Sequence, residues 1–173
     1  MKIAVLSGKG GAGKTLVSVN LAAAAGRAVY IDCDVEEPNG RLFLRPREVD
    51  TEEVTRPLPA FAPEKCDGCR RCVNFCRFHA LAFIKGRPMV LPEVCHACGG
   101  CSLVCPQGAV EEKQLPLGRV ERGRYGETQV VTGILDLGEA SGIPVIRRAL
   151  KTGLALEETA VIDCPPGSAC PVV

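Results

Sequence analysis

The sequence predicts an α/β protein in which helices cover a parallel sheet and a small cysteine-rich domain is inserted into the chain. The first observation is the order strand, glycine-rich turn, helix and strand within residues 1–32, which is the order of a βαβ unit with a right-handed crossover. The second is the absence of Trp and the aromatic content of 4%, so Val, Leu, Ile and Ala must form the core, as they do in buried parallel strands. The third is a change near Pro57, after which prolines and cysteines dominate as far as Pro116.

Apolar runs and glycine stops predict the individual elements. In chain order these are a strand at 2–7, a helix at 15–25, a strand at 28–32, two short strands within 83–91, strands and turns within 118–138, a helix at 143–150 and a strand at 159–163. Gly26 and Gly153 are expected to end the two helices. The predicted domains are an α/β domain at 1–56 and 117–173 and an insertion at 57–116. Three evident core strands are few for a doubly wound sheet.

Composition limits the classes of function. The 21 Lys and Arg nearly balance the 20 Asp and Glu, so charge gives no indication of nucleic-acid or membrane binding. No apolar run is long enough to span a bilayer and no secretory signal is evident, so a cytoplasmic location is expected. Eleven cysteines in such a chain favour metal or cluster ligation over disulfides.

A phosphate-binding loop is predicted between the first strand and the first helix. Its sequence fits the pattern G-x-x-x-x-G-K-[ST], with Gly8, Lys9, Gly10, Gly11, Ala12, Gly13, Lys14 and Thr15 at the eight positions. The backbone N–H groups of such a turn and of the helix N-terminus bind phosphate oxygens. We expect Lys14 to reach the β- and γ-phosphates of ATP and the Thr15 hydroxyl to bind Mg²⁺. The alternative is a glycine-rich turn without a ligand, which agreement at all eight positions disfavours.

Acidic residues follow two of the predicted strands. Asp32 and Asp34 lie at the end of the second strand, and Asp163 ends the strand at 159–163. Ligands of open α/β sheets bind beyond the carboxyl ends of the strands, so these carboxylates are expected to face the phosphates. Mg²⁺ keeps several of its waters, through which nearby carboxylates can act. The alternative for each is a helix or turn cap.

An internal repeat contains eight of the cysteines. Its two halves, offset by 29 residues, are Cys66, Cys69, Cys72 and Cys76, and Cys95, Cys98, Cys101 and Cys105. Each half reads C-x2-C-x2-C-x3-C, the ferredoxin run in which the fourth cysteine ligates the other [4Fe–4S] cluster. The predicted ligands are therefore Cys66, Cys69, Cys72 and Cys105 for cluster one, and Cys95, Cys98, Cys101 and Cys76 for cluster two. Zinc held by C-x2-C pairs is the alternative.

Three cysteines lie outside the repeat. Cys33 and Cys164 follow the acidic strand ends, and Cys170 lies near the end of the sequence. Packing as small apolar residues is the favoured role, with a redox or further metal role as the alternative. His79 and His96 lie in the cysteine repeat, where a surface position is favoured over a hydrogen bond near a cluster.

Several segments resemble one known family. KGGAGKT at 9–15 resembles the deviant Walker A motif of the MinD/ParA/nitrogenase-iron-protein class of ATPases. Together with DVEEPN at 34–39, GILDLGEASGIPVIR at 133–147 and DCPPGSACPVV at 163–173, it resembles MinD-superfamily ATPases with an inserted two-cluster ferredoxin domain. The resemblance covers nearly the whole chain. It also implies a longer chain, with the base-binding region and much of the dimer surface beyond residue 173.

The resemblance implies roles for individual residues. Lys9 would cross a dimer interface to the nucleotide of a second copy, so an ATP-dependent homodimer is expected. Asp163 would be the Walker B aspartate, and Gly167 would begin the switch that senses the γ-phosphate. Asp32 would lie near Mg²⁺, and Asp34 would orient the attacking water.

The expected function joins the two sites. ATP hydrolysis would be coupled to electron transfer, or to the handling of an iron–sulfur or metallocofactor, with a redox or iron–sulfur client protein as partner. The alternatives are an electron-carrier module with a nucleotide-binding switch, and a scaffold or carrier for iron–sulfur clusters.

Overall fold

The computed structural model describes residues 1–167, which include all of the predicted elements. The strands are β1 (Lys2–Val5), β2 (Val29–Asp32), β3 (Arg47–Phe61), β4 (Leu81–Ile84), β5 (Arg87–Val90), β6 (Val110–Tyr125), β7 (Thr128–Leu135) and β8 (Ala160–Asp163). The helices are α1 (Lys14–Ala25), α2 (Gly40–Leu44), α3 (Arg71–Phe75), α4 (Gly100–Leu103) and α5 (Ile143–Leu154), with a 3-10 turn at Pro92–Val94. Within these residues no helix combines the length and apolarity needed to cross a bilayer.

The chain folds into two compact units. The first consists of Met1–Val54, Leu117–Leu137 and the chain from Gly142 onward, and the second of Thr55–Pro116 with Gly138–Ser141. The chain therefore leaves the first unit after Val54 and returns to it at Leu117.

The first unit contains a mostly parallel sheet. Over the described residues the strand order is β1-β8-β2-β7-β6-β3. Neighbours among β1, β8, β2 and β7 run parallel, and β6 runs antiparallel to β7. The α/β fold predicted from the sequence is confirmed. The sequence showed three core strands, and the fourth parallel strand, β7, lies in the segment that was predicted only as strands and turns.

The two faces of β2 bury different partners. Val29 and Ile31 belong to a core with Val145 and Ala149 of α5. Tyr30, on the opposite face, packs in the core that includes Val19 of α1. All four residues of β2 are buried, because helices cover both faces of the sheet.

One predicted helix stop is wrong. Gly26 ends α1 in a left-handed conformation, with φ of 68°, as predicted. Gly153, in contrast, lies inside α5, which continues to Leu154. A Cβ on Gly153 would lie 2.5 Å from Ile31 Cδ1, so close packing of the helix on β2 accounts for this glycine.

The second unit is small and rich in turns. The two short strands expected within 83–91 are β4 and β5, which pair as an antiparallel hairpin that begins at Leu81. Its turn residues Lys85 and Gly86 have φ of 50° and 80°, as a two-residue type I′ turn requires. Leu58, Ala80 and Cys95 form its buried cluster.

Candidate functional site

The glycine-rich loop is open on the side where a ligand would bind. It connects β1 to α1, and Gly11 and Gly13 have φ of 73° and 85°, which favours glycine at both positions. A Cβ on Gly8, Gly10, Gly11 or Gly13 would meet no atom within 4 Å. Packing within the protein therefore does not explain glycine at 8 and 10, whereas close approach of a phosphate to the backbone does.

The loop side chains differ in exposure. Lys14, the first residue of α1, is 8% exposed, Thr15 is half-buried, and Lys9 and Ala12 are exposed. The charge of Lys14 acts on Asp34, whose pKa is raised mainly by burial and further by Asp163, while Lys14 opposes the rise. The charge of Lys14 therefore favours the ionised form of the Asp34 carboxylate.

The acidic strand ends meet side by side. Asp32 and Asp163 are register partners on the parallel strands β2 and β8, and Val5 of β1 is the partner of Asp163 on the other side. Both carboxylates are 0% exposed. The sheet therefore brings together Asp32, Asp163 and the strand that leads into the glycine-rich loop.

Both oxygens of Asp32 accept backbone hydrogen bonds. The N–H of Asp34 donates to Oδ1 at 3.2 Å, and the N–H of Gly40 donates to Oδ2 at 3.0 Å. Burial is the main cause that raises the pKa of Asp32 to about 7, and Asp163 adds to the rise. Asp32 thereby fixes the loop after β2, including the backbone of Asp34.

Asp163 keeps one oxygen free. Its Oδ2 accepts a hydrogen bond of 2.9 Å from the Tyr30 hydroxyl. Its Oδ1 is buried and has no hydrogen-bond partner among the described residues. An unpartnered buried carboxylate oxygen is unfavourable by itself, and it suits a water of a bound Mg²⁺. The residues present therefore fit this ion.

Sequence reasoning missed Tyr30. Its side chain is fully buried, and a Cβ on Gly40 would lie 2.0 Å from its hydroxyl oxygen, so glycine at 40 makes room for the ring. Burial and the two carboxylates Asp32 and Asp163 raise the pKa of Tyr30, which keeps its proton available for donation. The only signal in the sequence is a hydroxyl group within the otherwise apolar run that precedes Asp32.

The segment after β8 contacts the glycine-rich loop. Gly167 has φ of 89°, and its N–H donates to the Ser7 carbonyl at 3.0 Å. Cys33 is buried in the core, as its favoured packing role predicts, while Cys164 is half-buried. Cys170 lies outside the described residues.

Two cavities in the second unit group the eight repeat cysteines. One encloses about 330 Å³, including space open to solvent, and is bordered by Cys66, Cys69, Cys72 and Cys105. The other encloses about 600 Å³, measured in the same way, and is bordered by Cys76, Cys95, Cys98 and Cys101. In each cavity three cysteines come from one half of the repeat and the fourth from the other half.

The thiols in these cavities fit iron–sulfur ligation. Four thiols per cavity is the ligand number of a [4Fe–4S] cluster. Burial is the main cause that raises the pKa of Cys72 and of Cys101, and neighbouring cysteines add to it. The N–H of Ala109 donates to Cys105 Sγ at 3.3 Å, a contact of the kind that tunes cluster potentials. Among residues 1–167 no three His, Cys, Asp or Glu side chains converge on one metal-ion position.

Arg56 is a second residue that sequence reasoning missed. Its guanidinium, 6% exposed, pairs with Glu139 at 2.7 Å. It also donates to the carbonyls of Cys95 at 3.2 Å and Pro92 at 3.0 Å. Arg56 therefore orders the loop that leads into the cysteines of the second cavity. Nothing in the local sequence distinguishes it from a surface arginine.

The two histidines lie in the second unit as predicted, and both are exposed. His96 stacks on Phe78, with ring centroids 4.0 Å apart, and borders the second cavity. His79 has φ of 52° in the turn after Cys76.

Comparisons with known proteins identify a nucleotide-binding domain. The family described as CobQ/CobB/MinD/ParA nucleotide binding domain matches residues 3–165. The uncharacterized protein MJ0578 of Methanocaldococcus jannaschii is 32% identical over 177 residues, which is 100% of this chain and 62% of that protein. MJ0579 of the same organism is 28% identical over 184 residues, again 100% of this chain and 64% of the relative. The chain thus spans less than two thirds of the length of these two relatives.

A shorter match involves a protein with a named role. The iron-sulfur cluster carrier protein of Pyrococcus horikoshii is 51% identical over 57 residues, which is 31% of this chain and 18% of that protein.

Proposed function

The chain belongs to the CobQ/CobB/MinD/ParA family of nucleotide-binding domains, and on this premise we propose an ATPase whose nucleotide state is coupled to two [4Fe–4S] clusters. The coupled process is electron transfer, or the handling of an iron–sulfur or metallocofactor. The observation that carries the proposal is the grouping of the repeat cysteines into two four-thiol cavities. The unit that contains these cavities is inserted in the sequence of the nucleotide-binding unit.

The nucleotide site would work by positioning and charge. The open backbone of the glycine-rich loop and the N-terminus of α1 would bind the phosphates, and Lys14 would neutralise the β- and γ-phosphates. Mg²⁺ supplies further charge neutralisation when bound, held by the Thr15 hydroxyl and through water by Asp163 Oδ1. Asp32 holds the backbone of Asp34, and the Asp34 carboxylate would orient the attacking water.

The four thiols that line each cavity would be the ligands of one cluster. Cys66, Cys69, Cys72 and Cys105 would hold cluster one, and Cys95, Cys98, Cys101 and Cys76 would hold cluster two. When bound, the clusters supply one-electron transfer. Arg56 supports the second ligand loop through the carbonyls of Pro92 and Cys95.

Nucleotide state would act on the segment after Asp163. The hydrogen bond from Gly167 N–H to Ser7 O joins this segment to the loop that holds the phosphates. Loss of the γ-phosphate would change the contacts of Gly167, in the way that nucleotide switches order and release a segment.

The test is the ATPase rate of the complete natural protein, purified anaerobically, with its clusters oxidised and reduced. We expect hydrolysis above a Lys14→Ala control and a rate that depends on the redox state. The absence of hydrolysis above the control in both states would contradict the ATPase. Equal rates in the two states would contradict the coupling.

A homodimer formed with ATP is part of the proposal. Lys9 is exposed and, within residues 1–167, it forms no ion pair, so its charge is free to reach the nucleotide of a second copy. The oligomeric state of wild type and of the Lys14→Ala variant is measured by sedimentation, each with a slowly hydrolysed ATP analogue. Only wild type should form a dimer. A Lys9→Ala variant should bind the analogue and remain a monomer, and a fully dimeric Lys9→Ala variant would exclude this role.

The match to a protein named as an iron-sulfur cluster carrier favours a second candidate, in which the chain passes a cluster to an acceptor. Transfer of iron and sulfide to an apo ferredoxin, stimulated by nucleotide, would support it. Full retention of both clusters beside such an acceptor would exclude it. Tight nucleotide binding with negligible turnover and reversible cluster reduction would instead indicate an electron carrier with a nucleotide switch.

A further inference from the structure

The first cavity opens beside a group of cations, which we call the basic rim: Arg70, Arg71, Lys85 and Arg87. Arg70 and Arg71 line the cavity formed by the cluster-one thiols. Lys85 and Arg87 flank Gly86 at the tip of the β4–β5 hairpin.

Two contacts hold the hairpin tip against the cavity loop. A Cβ on Gly68 would lie 2.9 Å from the Gly86 carbonyl oxygen, so the loop and the tip touch through backbone. The Arg70 guanidinium lies 4.1 Å from the centroid of the Phe83 ring, which fixes its side chain over the hairpin. The four cations therefore share one side of the second unit.

The basic rim carries an excess of positive charge among the described residues. All four side chains are exposed, and none forms an ion pair with a carboxylate in residues 1–167. The carboxylate in the cavity loop, Asp67, accepts hydrogen bonds from Cys69 N–H and the Gln107 amide, both at 3.1 Å, and its single negative charge offsets at most one of the four cations. Lys65 nearby has a carboxylate partner, Glu111, at 4.0 Å. A group with an excess of like charge costs free energy within the protein, and it attracts an oppositely charged partner.

The second cavity has a different border. Its lining contains one arginine, Arg77, one carboxylate, Glu112, and His96. The cation near its ligand loop, Arg56, is buried and paired with Glu139. The two cluster sites therefore present different charge to a partner, although they arise from one repeat.

We propose that the basic rim is the docking surface for a small acidic electron-transfer protein, which exchanges electrons with cluster one. This inference rests on the proposed function, because it requires a cluster in the first cavity. One electron passes between the reduced partner cluster and the oxidised cluster one, so no other reactant is needed. Transient redox encounters use small interfaces whose rate is set by complementary charge, and an exposed rim of four cations beside a redox centre is such an interface.

The experiment measures the second-order rate constant for reduction of the anaerobically purified protein by a reduced acidic [2Fe–2S] ferredoxin, whose absorbance change on oxidation differs from that of a [4Fe–4S] cluster on reduction. Stopped-flow absorbance is recorded at low and high ionic strength. Two charge reversals are compared with wild type: Arg70→Glu with Arg71→Glu, and Lys85→Glu with Arg87→Glu. Each should lower the rate constant at low salt by tenfold or more, within the range of about 10–1,000-fold known for electrostatic steering. Each should also flatten the salt dependence.

The matched control reverses two exposed cations on β6, Lys113→Glu with Arg124→Glu, which line neither cavity and change the net charge equally. Its rate constant should stay within twofold of wild type. Iron content should be unchanged in every variant. If a charge reversal fails to fold, the neutral variant Arg71→Gln replaces it, and a smaller decrease in the rate constant is then expected.

Three outcomes would overturn the inference. The first is an unchanged rate constant in both rim reversals, and the second is an equal loss in the β6 control. The third is that the rim reversals weaken binding of a single-stranded oligonucleotide but leave the rate constant for reduction by the ferredoxin unchanged. Absence of iron and sulfide from the wild-type protein would instead overturn the proposed function, and this inference with it, before any variant is made.

Discussion

At the scale of single residues, a buried trio of polar side chains decides what the end of the sheet can bind. Asp32, Asp163 and Tyr30 are all 0% exposed, and buried polar groups are costly unless they are paired. Asp32 satisfies both oxygens with backbone N–H groups, and Tyr30 satisfies one oxygen of Asp163. Asp163 Oδ1 is therefore the carboxylate oxygen left open for a ligand, and Asp32 chiefly positions the loop.

Removing the Tyr30 hydroxyl should expose this dependence. In Tyr30→Phe, Asp163 Oδ2 loses its donor while remaining buried, so the free energy of unfolding should fall by about 1–3 kcal/mol. Nucleotide binding should weaken in the presence of Mg²⁺ and stay unchanged without it, because the hydroxyl orients the carboxylate near the ion. Urea unfolding and nucleotide titrations measure the two effects. The same change at the exposed Tyr125 should alter neither, and wild-type values for Tyr30→Phe would show that the hydrogen bond is dispensable.

Asp32 should make stability depend on pH. Its folded-state pKa of about 7 lies above the ordinary 3.8, so the folded protein binds this proton more tightly than the unfolded chain does. The associated stability is complete below about pH 3.8 and is lost as the pH rises through about 7, with a slope of at most about 1.4 kcal/mol per pH unit. We therefore expect the protein without Mg²⁺ and nucleotide to lose stability as the pH rises from about 4 to about 7, with little further loss from this group above about pH 8.

Asp32→Asn is the control for this slope. The variant cannot titrate at position 32, so its free energy of unfolding, measured anaerobically by urea at each pH, should vary less across the same window. A slope equal to that of wild type would assign the titration to another group.

At the scale of elements, glycines serve two purposes that the sequence alone does not separate. Gly8 and Gly10 face open space, whereas a Cβ on Gly118 would lie 2.3 Å from the Ile134 carbonyl oxygen and one on Gly153 would lie 2.5 Å from Ile31 Cδ1. The first pair leaves room for a ligand, and the second pair allows the close packing of β6 on β7 and of α5 on β2.

This distinction predicts opposite effects of the same substitution. Gly8→Ala adds a methyl group in open space without left-handed strain, so stability should change by less than about 0.5 kcal/mol. ATP binding should weaken by about tenfold or more, because the methyl group lies where the phosphates approach the backbone. Gly118→Ala should instead lower stability by about 1–3 kcal/mol. Calorimetric titration and urea unfolding separate the two, and unaltered ATP affinity in Gly8→Ala would contradict the assignment.

At the scale of the whole molecule, the cysteine repeat works as one unit. Each cavity takes three cysteines from one half and one from the other. The N–H of Ala62, before the first half, donates to the Ala109 carbonyl, after the second half, at 2.8 Å. The two halves are therefore linked both by a backbone hydrogen bond and by the two cavities that they line together.

Cross-ligation has a direct test. Cys105→Ser should damage the cluster held by Cys66, Cys69 and Cys72, although Cys105 belongs to the second half of the repeat. Cys76→Ser, the matched variant, should damage the cluster held by Cys95, Cys98 and Cys101. Iron and sulfide analysis with EPR of the reduced proteins distinguishes the two sites. Damage by Cys105→Ser confined to the second cavity would show that each half holds its own cluster.

The sequence predicts the candidate site residues where their proposed chemistry depends on short spacing. The glycine-rich loop and the cysteine runs are local patterns, because one turn of backbone binds a phosphate and neighbouring thiolates bind one cluster. Strand β7 was not evident as a core strand, since its run contains Gly133 and polar residues and its parallel partner β2 is nearly a hundred residues away in the chain.

The sequence by itself determined the α/β class, the loop that opens α1 and the repeat of eight cysteines, because periodicity and spacing within a few residues suffice for each. Only the tertiary structure decided that Tyr30 donates to Asp163, that Arg56 supports the loop before Cys95, and that Gly153 is a packing residue. These contacts join residues that are distant in the chain, as Tyr30 and Asp163 are across the sheet. The pairing of strands and the packing of helices select such contacts, and no local pattern encodes them.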